Sequence, residues 1–400
     1  VKLLDLTEFY SPLGGGVRRY LEEKARWVAR RRDVDHVVVV PAEHDALARW
    51  QRTRVHLVHG PRVPASPGYH FLIAGRRLSS IVARERPDVI EVGSPYLAPW
   101  LARRAARRGG TKVALAAFAH EDPRLYLTRL ARPMRVMLQP LLSRYLHAAY
   151  RHFDLLVAAD AANLPCTGAV PTAVVPLGVD TRLFHPLRRD PAWRTEVSIP
   201  PGVRVALYVG RLSAEKGLET VLDAWSAVHR GSGAWLVLIG EGHLRPRLER
   251  LASRGGEPIR VLPFEEDRLR LARAYASADL FLAPCPYETF GLAALEAMAS
   301  GLPVAGVRAA AIGRLLGGAA AWSRTYRPGD RRDCARAVTE LALTDLAAAG
   351  RLAREDVVSR YSWERTFTEL FASYRRLADQ AVREARASRI APSAAPSTSV

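Results

Sequence analysis

VRVALYVGRLSAEKGLETVLDAW, Val203 to Trp225, decides how the chain is to be read. Its first residues are nearly all apolar, as in a strand covered on both faces. The strand ends at Gly210, a loop carrying Arg211 and Lys216 follows, and a helix begins near Leu218. Strand, short polar loop and helix make half of a βαβ unit, and so predict a parallel sheet.

The alternation continues in both directions. Downstream come WLVLIGEG (235–242), IRVLP (259–263), DLFLAP (279–284) and PVAGV (303–307); upstream lie VKLLDL, HVVVVP (36–41), DVIEVG (88–93), VALAAF (113–118) and DLLVAA (154–159). Between the two sets, FHPLRRDPAWRTEVSIPPG is rich in proline and charge and lacks periodicity, which marks a linker. The expected α/β architecture is a Rossmann-like domain at 1–185, a linker at 186–202 and a second doubly wound domain at 203–362, the two facing a central cleft. A helical stripe of Trp363, Phe367, Leu370, Phe371, Tyr374 and Leu377 predicts a helix over 363–386, and 387–400, ending APSAAPSTSV, reads as a disordered tail.

Bulk properties agree with two cores. The chain has 400 residues, 48% apolar and 25% charged, which excludes wholesale disorder. No apolar run approaches the roughly 20 residues of a membrane span, and VKLLDL has no leader character, so a cytoplasmic protein is expected. Cys166, Cys285 and Cys334 are scattered and form no CxxC or Cys/His cluster, arguing against disulfides and zinc. The net charge is +19; residues 1–185 carry 28 basic and 16 acidic side chains, an excess of 12, leaving +7 for the remainder. An anionic partner is therefore expected on the first half. Lysine is scarce, at positions 2, 24, 112 and 216 only.

Doubly wound sheets bind ligands beyond the carboxyl ends of their strands. Arg211 and Lys216 can converge there on a diphosphate, or can be a solvated charged loop. Gly14, Gly15 and Gly16 in SPLGGGVRRY can open a helix N-terminus to an anion, or form an ordinary tight turn. In PYETFGLAALEAMASGLPV, Glu288 precedes a Phe-Gly turn and Glu296 sits on the next helix; they can hold sugar and ribose hydroxyls, or be a capping acid and a solvated helix residue. His120, after VALAAF, either faces the cleft or is structural.

Together YVGRLSAEKGLETVL, LIGEGHLRPRLERL, the E-x7-E pair of ETFGLAALEAMASGLPV, VVPLGVDTRLFHP and YSWERTFTELFASYRRL resemble the retaining glycosyltransferases of family 4, which have the GT-B fold. The resemblance spans about residues 1–380. EVGSPYLAPW and GGGVRRY look like its actinobacterial mannosyltransferase-type members. The resemblance implies that Arg211 and Lys216 neutralise a donor diphosphate, and that Glu288 and Glu296 contact donor sugar and ribose. It further implies that Thr289, Phe290, Gly291 and Leu292 line the donor, that Gly15 and Gly16 approach it, that backbone around Phe264 meets the base, and that His120 lies beside the transferred sugar. It also implies a final helix crossing back to the first domain. GDP-mannose is the favoured donor and a UDP-sugar the next. The nucleotide-sugar is a substrate, with no cofactor and no metal expected. In one departure, Ala310, Ala311 and Arg314 stand where many relatives have a glycine pair and a glutamate.

A glycosidase would also use two carboxylates, but has no need of two diphosphate-type cations. The remaining alternatives are a nucleotide-sugar epimerase and a basic nucleic-acid-binding protein, the latter without any aromatic-and-basic recognition motif. For the acceptor, Arg124 to Arg151 contains six arginines and no acid, interleaved with leucine and methionine. Such a segment, its helix interrupted by Pro133 and Pro140, suits a peripheral position on an anionic membrane or an anionic soluble acceptor.

Overall fold

A computed structural model describes residues 1–11, 15–64, 68–108, 113–128, 130–165, 168–253 and 258–390, excluding the side chains of 385–390. Gly14 and the tail beyond 390 lie outside the described residues. The chain divides into two units, Val1–Pro176 with the segment from Thr366 onward, and Leu177–Arg365.

The first unit is built on eight strands: β1 Lys2–Leu6, β2 Asp35–Ala42, β3 Ala46–Trp50, β4 Thr53–His59, β5 Val89–Val92, β6 Ala114–Ala119, β7 Leu155–Ala158 and β8 Thr172–Val174. They lie in the order β3-β4-β2-β1-β5-β6-β7-β8, parallel except for the β3/β4 hairpin. Central strands β1 and β5 are almost wholly buried, which is why they read as continuous apolar runs. The hairpin and β8 were not expected: β3 is a mostly exposed five-residue edge strand and β8 a three-residue one, both too short to stand out as apolar runs.

The helix Trp363–Ile390 belongs from Thr366 onward to this unit and extends past the expected end at 386. Phe367, Leu370, Phe371 and Tyr374 are fully buried, with Phe371 stacked on Trp27 at 4.8 Å. Beneath them lies a buried ionic cluster. Lys24 Nζ is 2.9 Å from Asp5 and 2.5 Å from Glu91, while the Tyr20 and Tyr374 hydroxyls donate to Glu91 at 2.9 and 2.5 Å. His36 Nε2 bonds Asp5 at 2.6 Å. Burial and the nearby Asp5 charge push the Glu91 carboxyl up to about 7. For Asp5, burial acts upward but is outweighed by Lys24 and His36, leaving it at about 2. The sequence offered no sign that Lys24 is a core residue.

The second unit has six parallel strands, β9 Val205–Val209, β10 Trp235–Ile239, β11 Ile259–Leu262, β12 Leu280–Ala283, β13 Val304–Val307 and β14 Ser323–Tyr326, ordered β11-β10-β9-β12-β13-β14. This is the doubly wound order, and it reverses direction between β9 and β12. The stretch 186–202, expected as a linker, lies wholly inside this unit. Trp193 and Ile199 enter its core, and Arg194 bonds Asp279 at 2.7 Å, so the segment is anchored despite its loop-like composition.

Candidate active site

The loops after β9 and β12 leave adjacent strands where the strand order reverses, the position at which such sheets bind ligands. Their approach depends on Gly217, whose φ is +73° and where a Cβ would fall 2.3 Å from the Pro284 carbonyl oxygen. With the two backbones in contact, Lys216 Nζ sits 3.1 Å from Glu288 Oε2, both side chains partly open to solvent. The Glu288 charge holds the Lys216 ammonium above its ordinary range against the opposing effect of burial, so it is a fixed positive charge at neutral pH. Burial pushes the neighbouring Cys285 thiol up to about 11, leaving it uncharged.

Arg211 rises from the same loop but faces a different acid, Glu215, at 3.9 Å, and is 57% exposed. The two cations therefore stand on one loop with separate carboxylates.

Past Glu288 the chain turns at Gly291, in the left-handed region at φ +95°, where a Cβ would meet Ile312 Cδ1 at 2.7 Å. Gly291 opens the helix Leu292–Ala299, which no side chain caps. Its first-turn N–H groups and positive dipole end point toward the loop that carries Glu288. Thr289 and Leu292 flank the glycine, half-buried, and Phe290 packs edge-on to Tyr361 at 6.0 Å. Glu296 is not a bare solvated residue, because Tyr275 Oη donates to its Oε2 at 3.2 Å. Phe264, following β11, is 41% exposed.

The loop that departs from the family pattern is tied to this site. The Ala311 N–H donates to the Glu288 carbonyl at 3.1 Å, and Ala310 is held at φ +45°. A left-handed alanine costs roughly 1–2 kcal/mol, part of which glycine returns as unfolded-state entropy. Ala310→Gly is therefore expected to raise stability by about 1 kcal/mol; an unchanged or lower urea midpoint would show that the conformation is not strained.

The first unit has its own strand-end cluster. Gly15, at φ +118°, opens the uncapped helix Gly16–Ala29. His120 follows β6, its ring stacked on Phe118 and edge-on to Tyr20, each at 4.5 Å. Burial, with a further push from the Lys24 charge, brings the His120 imidazole down to about 3, so it is neutral at working pH. Glu8, just beyond β1, was not singled out in the sequence. Its carboxylate accepts from Ser94 Oγ at 2.9 Å and from the Leu97 and Ala98 N–H groups, fixing the start of the helix Ala98–Arg108. Only its place immediately after a strand could have drawn attention to it.

The depressed His120 value has a thermodynamic consequence. Between pH 6.5 and about 3 the unfolded side chain binds a proton that the folded one refuses, so His120's contribution is full above 6.5 and is lost as pH falls. His36, also depressed by burial, acts in the same sense, and Glu91 in the opposite sense between 4.5 and about 7. The difference in urea stability between wild type and His120→Phe isolates the one group. That difference should shrink on acidification by up to about 1.4 kcal/mol per pH unit; a pH-independent difference would contradict the assignment.

The fold defines a class. The chain superimposes on sucrose-phosphate synthase of Thermosynechococcus elongatus with a TM-score of 0.74 at 20% identity, covering 94% of this chain and 99% of that one. It superimposes on Anabaena HepE bound to UDP-glucose with a TM-score of 0.70 at 18% identity, covering 93% and 99%. This is the GT-B architecture of glycosyltransferases. In sequence, residues 14–183 match the model for glycosyltransferase family 4 and residues 203–344 that for group 1 glycosyl transferases. A GDP-mannose-dependent alpha-(1-6)-phosphatidylinositol dimannoside mannosyltransferase of Mycobacterium tuberculosis is 34% identical over 88% of this chain and 95% of its own length. A sulfoquinovosyl transferase of Arabidopsis thaliana is 30% identical over 84% of this chain and 66% of its own length. The chain belongs to the family 4 glycosyltransferases.

Proposed function

We propose that the chain is a retaining, metal-independent mannosyltransferase that moves mannose from GDP-mannose to a hydroxyl of a lipid-linked acceptor of the mannosylated phosphoinositide type. The observation that carries the reading is the Lys216–Glu288 pair at 3.1 Å, set at the reversal of strand order beside an uncapped helix N-terminus. The extended identity to a mannosyltransferase of named lipid acceptor supports the choice of donor and acceptor.

In this mechanism the bond from the anomeric carbon to the donor's phosphate oxygen breaks, and the acceptor oxygen bonds to that carbon on the same face. The acceptor proton passes to the departing phosphate oxygen, and GDP leaves. Lys216, Arg211 and the N–H groups after Gly291 stabilise the charge developing on the diphosphate. Glu288 and Glu296 accept hydrogen bonds from hydroxyls of the transferred sugar and the ribose. Neutral His120 exchanges hydrogen bonds with the transferred sugar without adding charge.

Thermal shifts with GDP, UDP and ADP test the donor. At a hundredfold excess over Kd a ligand stabilises by about 2.7 kcal/mol, worth several degrees in a domain of this size. GDP is expected to give the largest shift. An equal or larger UDP shift would overturn the base assignment, and no shift with any of them would overturn the nucleotide reading. Release of GDP in proportion to acceptor separates transfer from epimerisation.

A further inference from the structure

The segment Arg124 to Arg151, expected as a helix interrupted by Pro133 and Pro140, holds the end of a short helix Pro123–Leu127 and then an unbroken helix Arg132–Tyr150, with Pro133 in its first turn and Pro140 inside it. Proline is tolerated in a first turn because the N–H there has no intrahelical partner. Two apolar stripes run side by side along this helix. Leu142, Leu146 and Ala149 pack into the core of the first unit. Met134, Met137, Leu141 and Tyr145, spaced as one face, are 48%, 61%, 54% and 36% exposed.

The exposed stripe does not end with the helix. The Tyr145 hydroxyl bonds the Tyr96 carbonyl, and Trp100 Nε1 donates to Tyr145 Oη at 3.4 Å, so the exposed Tyr96, Leu97 and Trp100 extend it. Positive charge is carried by the same helix and by the neighbouring helix Ala98–Arg108. Among the described residues, Arg103, Arg107, Arg132, Arg135, Arg144 and Arg151 have no carboxylate partner. Arg103 lies over the Trp100 ring at 5.3 Å, and the crowded charges of Arg103, Arg151 and Arg107, together with burial, hold the His152 imidazole below its ordinary value.

We infer that Met134, Met137, Leu141 and Tyr145, with Trp100 and these arginines, form a docking surface for an anionic lipid bilayer. The surface pairs an apolar stripe for the acyl boundary, amphipathic aromatic rings for the headgroup level and unneutralised guanidinium groups for lipid phosphates. None of the described helices is long and apolar enough to cross a membrane, so contact here is peripheral. The inference deepens the proposed function and rests on its lipid acceptor, which the surface would bring within reach of the enzyme.

Co-sedimentation of the full chain with phosphatidylcholine vesicles, with and without phosphatidylglycerol, is the test. Binding is expected only with the anionic lipid and should weaken with salt. Arg135→Gln with Arg144→Gln should weaken it about 25-fold, each charge near the surface being worth about five-fold, or about 1 kcal/mol. Met137→Ser with Leu141→Ser should weaken it at least ten-fold at unchanged charge. Equal binding to neutral vesicles, no vesicle binding with retention on heparin, or unaltered binding by both variants would overturn the inference. The variants should keep the wild-type GDP thermal shift and far-UV circular dichroism. Failure of the wild type to bind anionic vesicles with its GDP shift intact counts against the surface alone, and absence of the GDP shift in the wild type counts against the proposed function alone.

Discussion

Lys216→Ala is expected to lower kcat by roughly 10²–10³-fold, the usual cost of about 3–4 kcal/mol for removing one preorganised group that stabilises developing charge. The chain should fold normally. The Lys216–Glu288 pair is partly solvent-exposed, and such pairs contribute only about 0–1 kcal/mol to stability. The close backbone approach of Gly217 to Pro284 does not involve the ammonium, so its removal is expected to leave the loop in place. Steady-state kinetics and a thermal melt on one preparation test both expectations. An inactive variant with a normal melt is expected; normal turnover would remove Lys216 from the diphosphate role.

Lys24→Met should give the opposite signature. Lys24 is completely buried between Asp5 and Glu91, and removing it leaves two carboxyl groups in the core without their cation. Breaking a buried pair from one side typically costs about 3–5 kcal/mol. The loss should appear in the urea transition of the first unit and leave the GDP thermal shift of the second unit in place. Adding Glu91→Gln should recover part of it, because the amide is uncharged and can still accept from Tyr20 and Tyr374. If Lys24→Met alone were as stable as wild type, the cluster would not hold the terminal helix through Tyr374.

Most of the fold was legible because its central strands are buried on both faces and announce themselves as apolar runs; β1, β5, β9 and β12 are of this kind. Strands that escaped, β3, β4, β8 and β14, carry polar or exposed residues. In Phe184 to Gly202, proline and charge imitate a linker, whereas Trp193 and the Arg194–Asp279 pair fasten the segment to the second core. Composition reports local flexibility, and long-range anchoring overrides it. Within the candidate site, Lys216 and Glu288 could be named in advance because each follows a strand. Their contact could not, since it depends on which strands are neighbours. Glu8 and Lys24 were hidden for a related reason: their partners lie far along the chain, at Ser94 and Glu91. Ala310 shows the converse, a departure visible in sequence whose strained backbone only the structure reveals.

The most direct test of the mannosyltransferase reading is the stereochemistry of its product. Incubation with GDP-mannose, which carries an α linkage, and vesicles of a mannosylated phosphoinositide in the presence of a chelator should yield a new α-mannosidic linkage by NMR, with one GDP released for each mannose transferred. A β linkage, a requirement for added divalent metal, or GDP release without any new glycosidic bond would contradict it.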